Sequence, residues 1–175
     1  MTDGIASGNQ GHSVAAPGTE GWFRDHTGPD HDSESFTLLA SRCTSCGSLS
    51  FPPRRIPGCP DPDCEGLDSE PAPLSTTGTL WSYTDACYAP PLPYPRPPDS
   101  EFVPYTLAAV ELAAEKMVVL GQVAPGVPTD ALRVGAPMEL VPGTLVSSEG
   151  VAERVWNWRP ASSAPAASAP EGVSR

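Results

Sequence analysis

The sequence predicts a mainly β protein in which a small metal-bound ribbon precedes a five-stranded β-barrel. Four cysteines fall at C-x2-C-x12-C-x4-C spacing between positions 43 and 64. Short β-favouring segments follow the cysteines, and no segment has the pattern of a long amphipathic helix. Short strands without helices favour a small barrel or sandwich, and a Greek-key barrel of the oligonucleotide/oligosaccharide-binding (OB) type is the simplest choice.

Composition limits the classes of function that the chain can have. The 175 residues carry 21 acids and 10 bases, a formal net charge of −11, which disfavours a polyanionic partner such as nucleic acid. A small anion or another protein stays open as a partner. The most apolar run, "MVVL" at 117–120, is far too short to span a bilayer. The N-terminus lacks the basic and apolar regions of a secretion signal, so we expect a cytoplasmic protein with reduced thiols.

The expected organisation is one ordered region between two low-complexity tails. We predict disorder in residues 1–20 and in the Pro/Ala/Ser-rich residues 160–175. Residues 21–73 should hold an N-terminal arm, helical or extended, followed by the ribbon. Residues 74–159 should form the barrel. Strands are expected at 35–43, 78–88, 102–112, 116–124 and 153–160. Residues 132–143 should form a turn at Gly135 and then a short strand.

A proline-rich loop interrupts the barrel segment. Residues 89–105 contain seven prolines, which lack an amide donor and therefore exclude a central strand. The loop also carries Tyr94, Phe102 and Tyr105 as aromatic anchors. We interpret it as an ordered loop that contacts a partner; a solvent-exposed spacer is the alternative.

The cysteine cluster predicts a structural zinc site. Cys43 and Cys46 form one metal-binding knuckle, with Gly47 easing the turn, and Cys59 and Cys64 supply the other two ligands. Four protein ligands leave no open position for a substrate, so the site is structural. Zinc contributes roughly 10–16 kcal/mol to small thiolate sites, more than so short a segment gains by burial. Iron, two disulfides, or a ribbon that has lost its metal are the alternatives.

The fifth cysteine and the remaining motifs give no catalytic signal. A catalytic thiol needs a base close by, and all three histidines lie far upstream of Cys87. We therefore predict that Cys87 is a half-buried strand cysteine. No serine-centred elbow, phosphate loop or paired-carboxylate arrangement is evident in the sequence.

Several segments together resemble a known family. "RCTSCGSLSFPPRRIPGCPDPDC", "GTLWSYTD", "FVPYTLAAVEL", "MVVLGQV" and "LRVGAPMELV" are similar to small proteins that join a rubredoxin-like zinc ribbon to an OB fold and accompany thiolase-like enzymes of acyl-CoA metabolism. The resemblance covers about residues 21–159. It implies a non-catalytic subunit of a heteromeric acyl-CoA thiolase, in a 2:2 or similar assembly in which the thiolase-fold partner carries the catalytic residues.

The resemblance also suggests contact residues. Trp22 and Phe23 in the arm, like the loop aromatics, are expected to contact the partner. Arg54, Arg55 and Arg96 are candidates for the phosphates of coenzyme A, because guanidinium groups pair well with phosphate oxygens; surface arginines that balance nearby acids are the alternative. A thiolase-fold aldolase is a second candidate for the partner. A nucleic-acid-binding ribbon/OB protein is the alternative of another class.

Overall fold

The computed structural model describes residues 14–15, 19–26, 35–91, 101–147 and 149–162. Within these ranges the regular secondary structure consists of β-strands and one 3₁₀ turn at Thr129–Ala131. No helix in the described ranges has the length and apolar character needed to cross a membrane. The strands are β1 Val14–Ala15, β2 Phe23–His26, β3 Ser35–Cys43, β4 Leu49–Ser50, β5 Ser69–Pro73, β6 Thr77–Ala86, β7 Tyr105–Leu112, β8 Met117–Val123, β9 Pro137–Val146 and β10 Ala152–Pro160.

Five strands close into a barrel, which confirms the predicted fold class. β6, β7 and β8 form an antiparallel meander, β8 pairs parallel with β10, and β10 pairs antiparallel with β9. β9 then returns to β6 and closes the barrel. Closure leaves no fully unpaired edge strand, which makes a sheet of this size stable in water.

The ribbon is built around β3. β2 pairs with residues 35–38, β4 pairs with Ser41 and Arg42, and β5 pairs with residues 39–43. The arm predicted as helical or extended is therefore the extended strand β2. Because β3 ends at Cys43, the pairing with β4 and β5 positions the first metal-binding knuckle.

One continuous hydrophobic core joins the ribbon and the barrel. Leu80, Val110, Val119 and Trp158 fill the barrel, and all are almost completely buried. Ribbon and linker side chains belong to the same cluster: Phe36, Leu38, Ala40 and Leu74. The two parts therefore stabilise one another by sharing buried apolar surface.

Aromatic rings pack together at the junction between the ribbon and β10. The Trp156 ring lies 6.0 Å from Trp22 and 5.8 Å from Phe51, centroid to centroid. Its Nε1 donates a 2.9 Å hydrogen bond to the carbonyl of Leu120 in β8. Edge and tilted contacts of this kind add to the energy of area burial, so the cluster fixes the ribbon against the barrel.

Two barrel strands differ from their predicted bounds for local reasons. β7 begins at Tyr105 rather than at residue 102, because Pro104 has no amide to donate to a ladder. β9 begins at Pro137, after the turn predicted at Gly135, and continues to Val146, beyond its predicted end at residue 143. A Cβ at Gly143 would lie 2.7 Å from the Asn157 side chain, so the glycine allows β9 to pack closely against β10.

The chain ends also differ in part from expectation. Val14–Ala15, inside the segment predicted to be disordered, pair parallel with Glu153 and Arg154 of β10. Pro160 is the last residue of β10 rather than the first of the tail. The rest of the two predicted tails, apart from Thr19, Glu20 and residues 161–162, lies outside the described residues.

Candidate metal centre

The first knuckle, Cys43–Ser48, is a tight turn whose amides point at sulfur. The Gly47 amide donates to the Cys43 carbonyl at 2.9 Å, and Gly47 has a φ of 78°, which glycine adopts without steric cost. The amides of Ser45 and Cys46 donate to the Cys43 sulfur, and the Ser48 amide donates to the Cys46 sulfur. This confirms the role predicted for Gly47 in the turn.

The second knuckle uses a longer loop to reach the same geometry. The Asp61 amide lies 3.4 Å from Sγ of Cys59, and the Gly66 amide lies 3.4 Å from Sγ of Cys64. Asp61 also accepts from the Asp63 amide at 3.0 Å through its carboxylate and from the Cys64 amide at 3.2 Å through its carbonyl. The four-residue spacing is thus a compact turn organised by Asp61.

The four sulfurs have the spacing of a tetrathiolate site. Sγ of Cys43 lies 3.9 Å from Sγ of Cys64, and Sγ of Cys46 lies 3.4 Å from Sγ of Cys59. All four sulfurs lie within 4.8 Å of one another. Zn–S bonds of about 2.3 Å in a tetrahedron require S···S distances of roughly 3.8 Å, whereas a disulfide requires about 2.05 Å. The geometry therefore fits a bound tetrahedral metal ion and does not fit disulfides.

Local hydrogen bonds prepare part of the cluster for metal binding. The hydroxyl and amide of Ser48 lower the pKa of Cys46 from 9.0 to about 6, and the amides of Cys46 and Ser45 lower the pKa of Cys43. Burial raises the pKa of Cys59 to about 12. Cys46 thus offers a thiolate at neutral pH, whereas a divalent cation must displace the proton of Cys59.

Gly66 belongs to the site, although the cysteine spacing did not reveal it. A Cβ there would lie 2.9 Å from Sγ of Cys43 and 2.7 Å from Oγ of Ser45. No side chain fits at this position without moving the first knuckle. A glycine shortly after the last cysteine is too common a feature of loops to be a signal in one sequence.

The structure places the predicted coenzyme A arginines in different surroundings. The Arg55 guanidinium lies 3.1 Å from the Glu20 carboxylate and is largely exposed. Arg54 lines a cavity of about 250 Å³, to which residues of the paired strands β3 and β5 also contribute; its amide donates to Oγ of Ser41 at 3.0 Å. Its Nε is buried and has no hydrogen-bond partner among the residues described. Arg96 lies outside the described residues.

The predicted partner-contact aromatics also separate. Phe102 and Tyr105 lie 6.1 Å apart and line a cleft of about 640 Å³ at one end of the barrel, whereas Tyr94 lies outside the described residues. Trp22 and Phe23 are half-buried against the chain's own rings, and Phe23 lies 5.0 Å from Phe36. Their role in contacting a partner stays a prediction.

The prediction for Cys87 was wrong. Cys87 follows the end of β6 at Ala86 and is exposed, rather than half-buried within a strand. The pairing between β6 and β7 ends at Ala86–Tyr105, so residue 87 no longer has a strand neighbour to cover it.

A tetrathiolate ribbon fused through one core to a closed five-stranded barrel defines the class of a zinc-ribbon/OB-fold protein. Comparison with known families finds a matching family model for each of the two parts. Residues 35–68 match the family model "ChsH2, rubredoxin-like zinc ribbon domain", and residues 72–142 match "ChsH2, C-terminal OB-fold domain". The chain therefore contains regions similar to both ChsH2 domains, in this order.

A solved structure is also similar to this chain. A chain of the structure described as "Ltp2-ChsH2(DUF35) aldolase" is similar to this chain, with 27% sequence identity and a TM-score of 0.51. The match covers 72% of this chain and 86% of that chain. The likeness thus extends over most of both chains.

Proposed function

We propose that this chain is a non-catalytic, zinc-binding subunit that supports a larger thiolase-like catalytic chain. One observation carries the proposal: the similarity to a chain of the structure described as an Ltp2-ChsH2(DUF35) aldolase, over 72% of this chain. That description names two components, and both domains of the present chain match ChsH2 models. A protein partner also suits a chain of net charge −11 better than nucleic acid does.

The metal has a structural role in this proposal. Cys43, Cys46, Cys59 and Cys64 would hold zinc through four thiolates, which fill the tetrahedral shell and leave no position for a substrate. Zinc is preferred to iron, although tetrahedral sulfur suits both metals. The ion would fasten the knuckles that β3, β4 and β5 position.

The reaction of the assembly has two candidates. The solved relative favours an aldolase, which breaks or forms a carbon–carbon bond. The sequence resemblance favours a thiolase that cleaves a β-ketoacyl-CoA with free CoA. Within that family, "GWF", "CYAPPLPY" and "AAVELAAEKMVVLGQV" look most like the small subunit of benzoylsuccinyl-CoA thiolase from anaerobic toluene degradation. We keep the thiolase, in a 2:2 or similar assembly, as the second candidate.

The proposal also includes a contact between this chain and the phosphates of coenzyme A. The support is the buried Nε of Arg54, which has no hydrogen-bond partner in the described part of the chain, beside the cavity that β3 and β5 help to line. Arg55 already pairs with Glu20, so its engagement with a phosphate requires exchange of that exposed ion pair. Arg54 is therefore the better of the two described candidates.

Co-expression with a thiolase-like chain from the same gene neighbourhood tests the proposal. We expect the two chains to co-purify, with one zinc ion per copy of this chain. Cleavage should be assayed with a β-ketoacyl-CoA plus CoA and with a β-hydroxyacyl-CoA, with and without this chain. Activity that needs both chains supports the proposal, and the substrate that reacts decides between thiolase and aldolase. Turnover by this chain alone, or purification of the two chains as separate species, contradicts it.

A further inference from the structure

The outer face of the β6–β7–β8 sheet carries large apolar side chains that the barrel leaves uncovered. Trp81 is 62% exposed, Leu120 64% and Val118 45%. The register places Ser82, Ala109 and Leu120 in one row across the three strands, and Glu111 pairs with Val118 in the next row. We call the exposed Trp81, Val118 and Leu120, together with Ala109, which is only 7% exposed, the outer apolar face.

A β-bulge helps to create this face. The pairing of β6 with β7 shifts between Leu80 and Ser82, so Trp81 is the extra residue on β6. Bulges redirect side chains, and this one places an indole beside the row that ends at Leu120. Ala109 lies between the two large residues and offers little side-chain volume. The face therefore has two raised apolar edges and a low centre.

The opposite face of the same strands already forms the core. Leu80, Val110 and Val119 are almost completely buried inside the barrel. Refolding the strands to bury the outer face would expose this core, because neighbouring residues point to opposite sides of a strand. The three strands therefore cannot cover the outer apolar face themselves without disturbing the fold.

The charge of the chain indicates what kind of molecule would cover the outer apolar face. Glu111, exposed beside Val118, takes part in no ion pair within the described ranges. A chain of net charge −11 repels its own copies and anionic surfaces such as phospholipid headgroups. A protein surface with an apolar centre and a lysine or arginine opposite Glu111 is complementary to this face.

The face also adjoins the junction with the ribbon. The Leu120 carbonyl accepts the hydrogen bond from Trp156, and Trp156 contacts Trp22 and Phe51. A partner seated on the face therefore lies next to the element that sets the position of the ribbon relative to the barrel. Loss of the zinc clamp would alter the surface around the face.

We propose that the outer apolar face is the docking surface for the larger catalytic chain, which contributes an apolar patch with a basic side chain that meets Glu111. This inference rests on the proposed function and adds where the partner binds and what its surface carries. Exposed tryptophan anchors of this kind supply much of the energy of protein interfaces.

The test compares paired variants in the co-expressed complex. Trp81→Ser/Leu120→Ser should weaken binding of the thiolase-like chain by roughly thirtyfold or more. Ile56→Ser/Val151→Ser is the control, because it removes two exposed apolar side chains that lie outside both the outer apolar face and the loop at 89–105, so it should bind as the wild type does. Glu111→Lys should slow association and reduce its sensitivity to salt. Zinc content and thermal unfolding should be unchanged in all three variants.

The outcomes separate this inference from the proposed function. If this chain and the thiolase-like chain do not bind one another as wild types, the proposed function and the docking face are both wrong. If the wild type and Trp81→Ser/Leu120→Ser bind equally well, only the docking face is wrong. If the isolated chain dimerises and the double variant is monomeric, the face joins two copies of this chain, which also overturns the inference.

Discussion

Gly66 lies against the metal cluster because only hydrogen fits between its backbone and the first knuckle. An added Cβ meets Sγ of Cys43 at 2.9 Å and Oγ of Ser45 at 2.7 Å. The Gly66 amide also donates to the Cys64 sulfur, so any displacement of this residue disturbs both halves of the site. Gly66 thus orients ligands without being one.

We expect Gly66→Ala to weaken zinc binding by about 10- to 100-fold, the range for residues that orient metal ligands. Competition with a chromogenic chelator measures the affinity. Ser45→Ala/Gly66→Ala should recover part of the loss, because it removes the hydroxyl that the new methyl group meets. Wild-type affinity in the single variant would show that the knuckle accommodates a side chain here.

At the scale of elements, the contact between β10 and the ribbon depends on Trp156. Its ring fills the space between Trp22 and Phe51, and its Nε1 hydrogen-bonds to β8. Gly121 makes room for it, since a Cβ there would lie 2.9 Å from the Trp156 ring. One side chain therefore connects three elements.

Trp156→Ala should lower the free energy of unfolding by about 2 to 3 kcal/mol, somewhat less than truncation of a fully buried tryptophan. Chemical denaturation followed by circular dichroism measures the loss. Trp81→Ala is the control, because Trp81 is 62% exposed and its removal should change stability by at most about 0.5 kcal/mol. Equal effects of the two substitutions would contradict a special role for the junction.

A second connection between elements joins β6, β7 and the 3₁₀ turn. The Asp85 carboxylate accepts hydrogen bonds from the hydroxyls of Thr106 at 2.6 Å and Thr129 at 2.9 Å, and these two bonds lower its pKa below 3.8. Because the folded-state pKa is below the unfolded value, the charged form stabilises the fold above about pH 4. That contribution is lost as pH falls through the folded-state pKa.

Asp85→Asn should therefore reduce stability at pH 6. Its effect should be smaller at pH 3, because this pH lies below the unfolded-state pKa of about 3.9 and the contribution of the charged form is already reduced there. Urea unfolding at both pH values gives the two differences between variant and wild type. Acid loss of zinc affects both proteins alike and cancels in the comparison. Asp130→Asn, at a neighbouring exposed carboxylate, is the matched control. A difference that stays constant from pH 6 to pH 3 would count against the network.

At the scale of the whole molecule, the ribbon and barrel share one core, so the metal should stabilise both. Phe36, Leu38 and Leu74 pack in the same cluster as the barrel residues. Zinc contributes roughly 10–16 kcal/mol to small thiolate sites, which is comparable to the whole stability of a domain. A metal-free ribbon cannot hold its knuckles together by burial alone.

Removal of zinc should lower the Tm by about 10 °C or more and speed amide exchange first in residues 43–70. Calorimetry and hydrogen exchange on the chelator-treated chain measure both effects, and added zinc should restore the original values. Cys87→Ser should behave as the wild type in these experiments, because Cys87 lies outside the cluster, whereas Cys64→Ser should resemble the metal-free chain. An unchanged Tm after verified metal loss would contradict a structural role.

The sequence by itself determined the ribbon, which four cysteines form its cluster, and the series of barrel strands. Ligand spacing and strand alternation are local patterns, so they are visible in one chain. Strand ends were predicted less well: β9 continues to Val146, past its predicted end at residue 143, and Gly143 allows this because it packs closely on Asn157.

Only the tertiary structure decided which residues far apart in the chain meet. Four features depend on the tertiary structure. They are the close contact of Gly66 with Ser45, the exposure of Cys87, the aromatic junction at Trp156 and the outer apolar face around Trp81. The physical reason is the same in each case. Whether a side chain is buried, crowded or exposed depends on strand register and closure of the barrel, and residue type does not encode these locally.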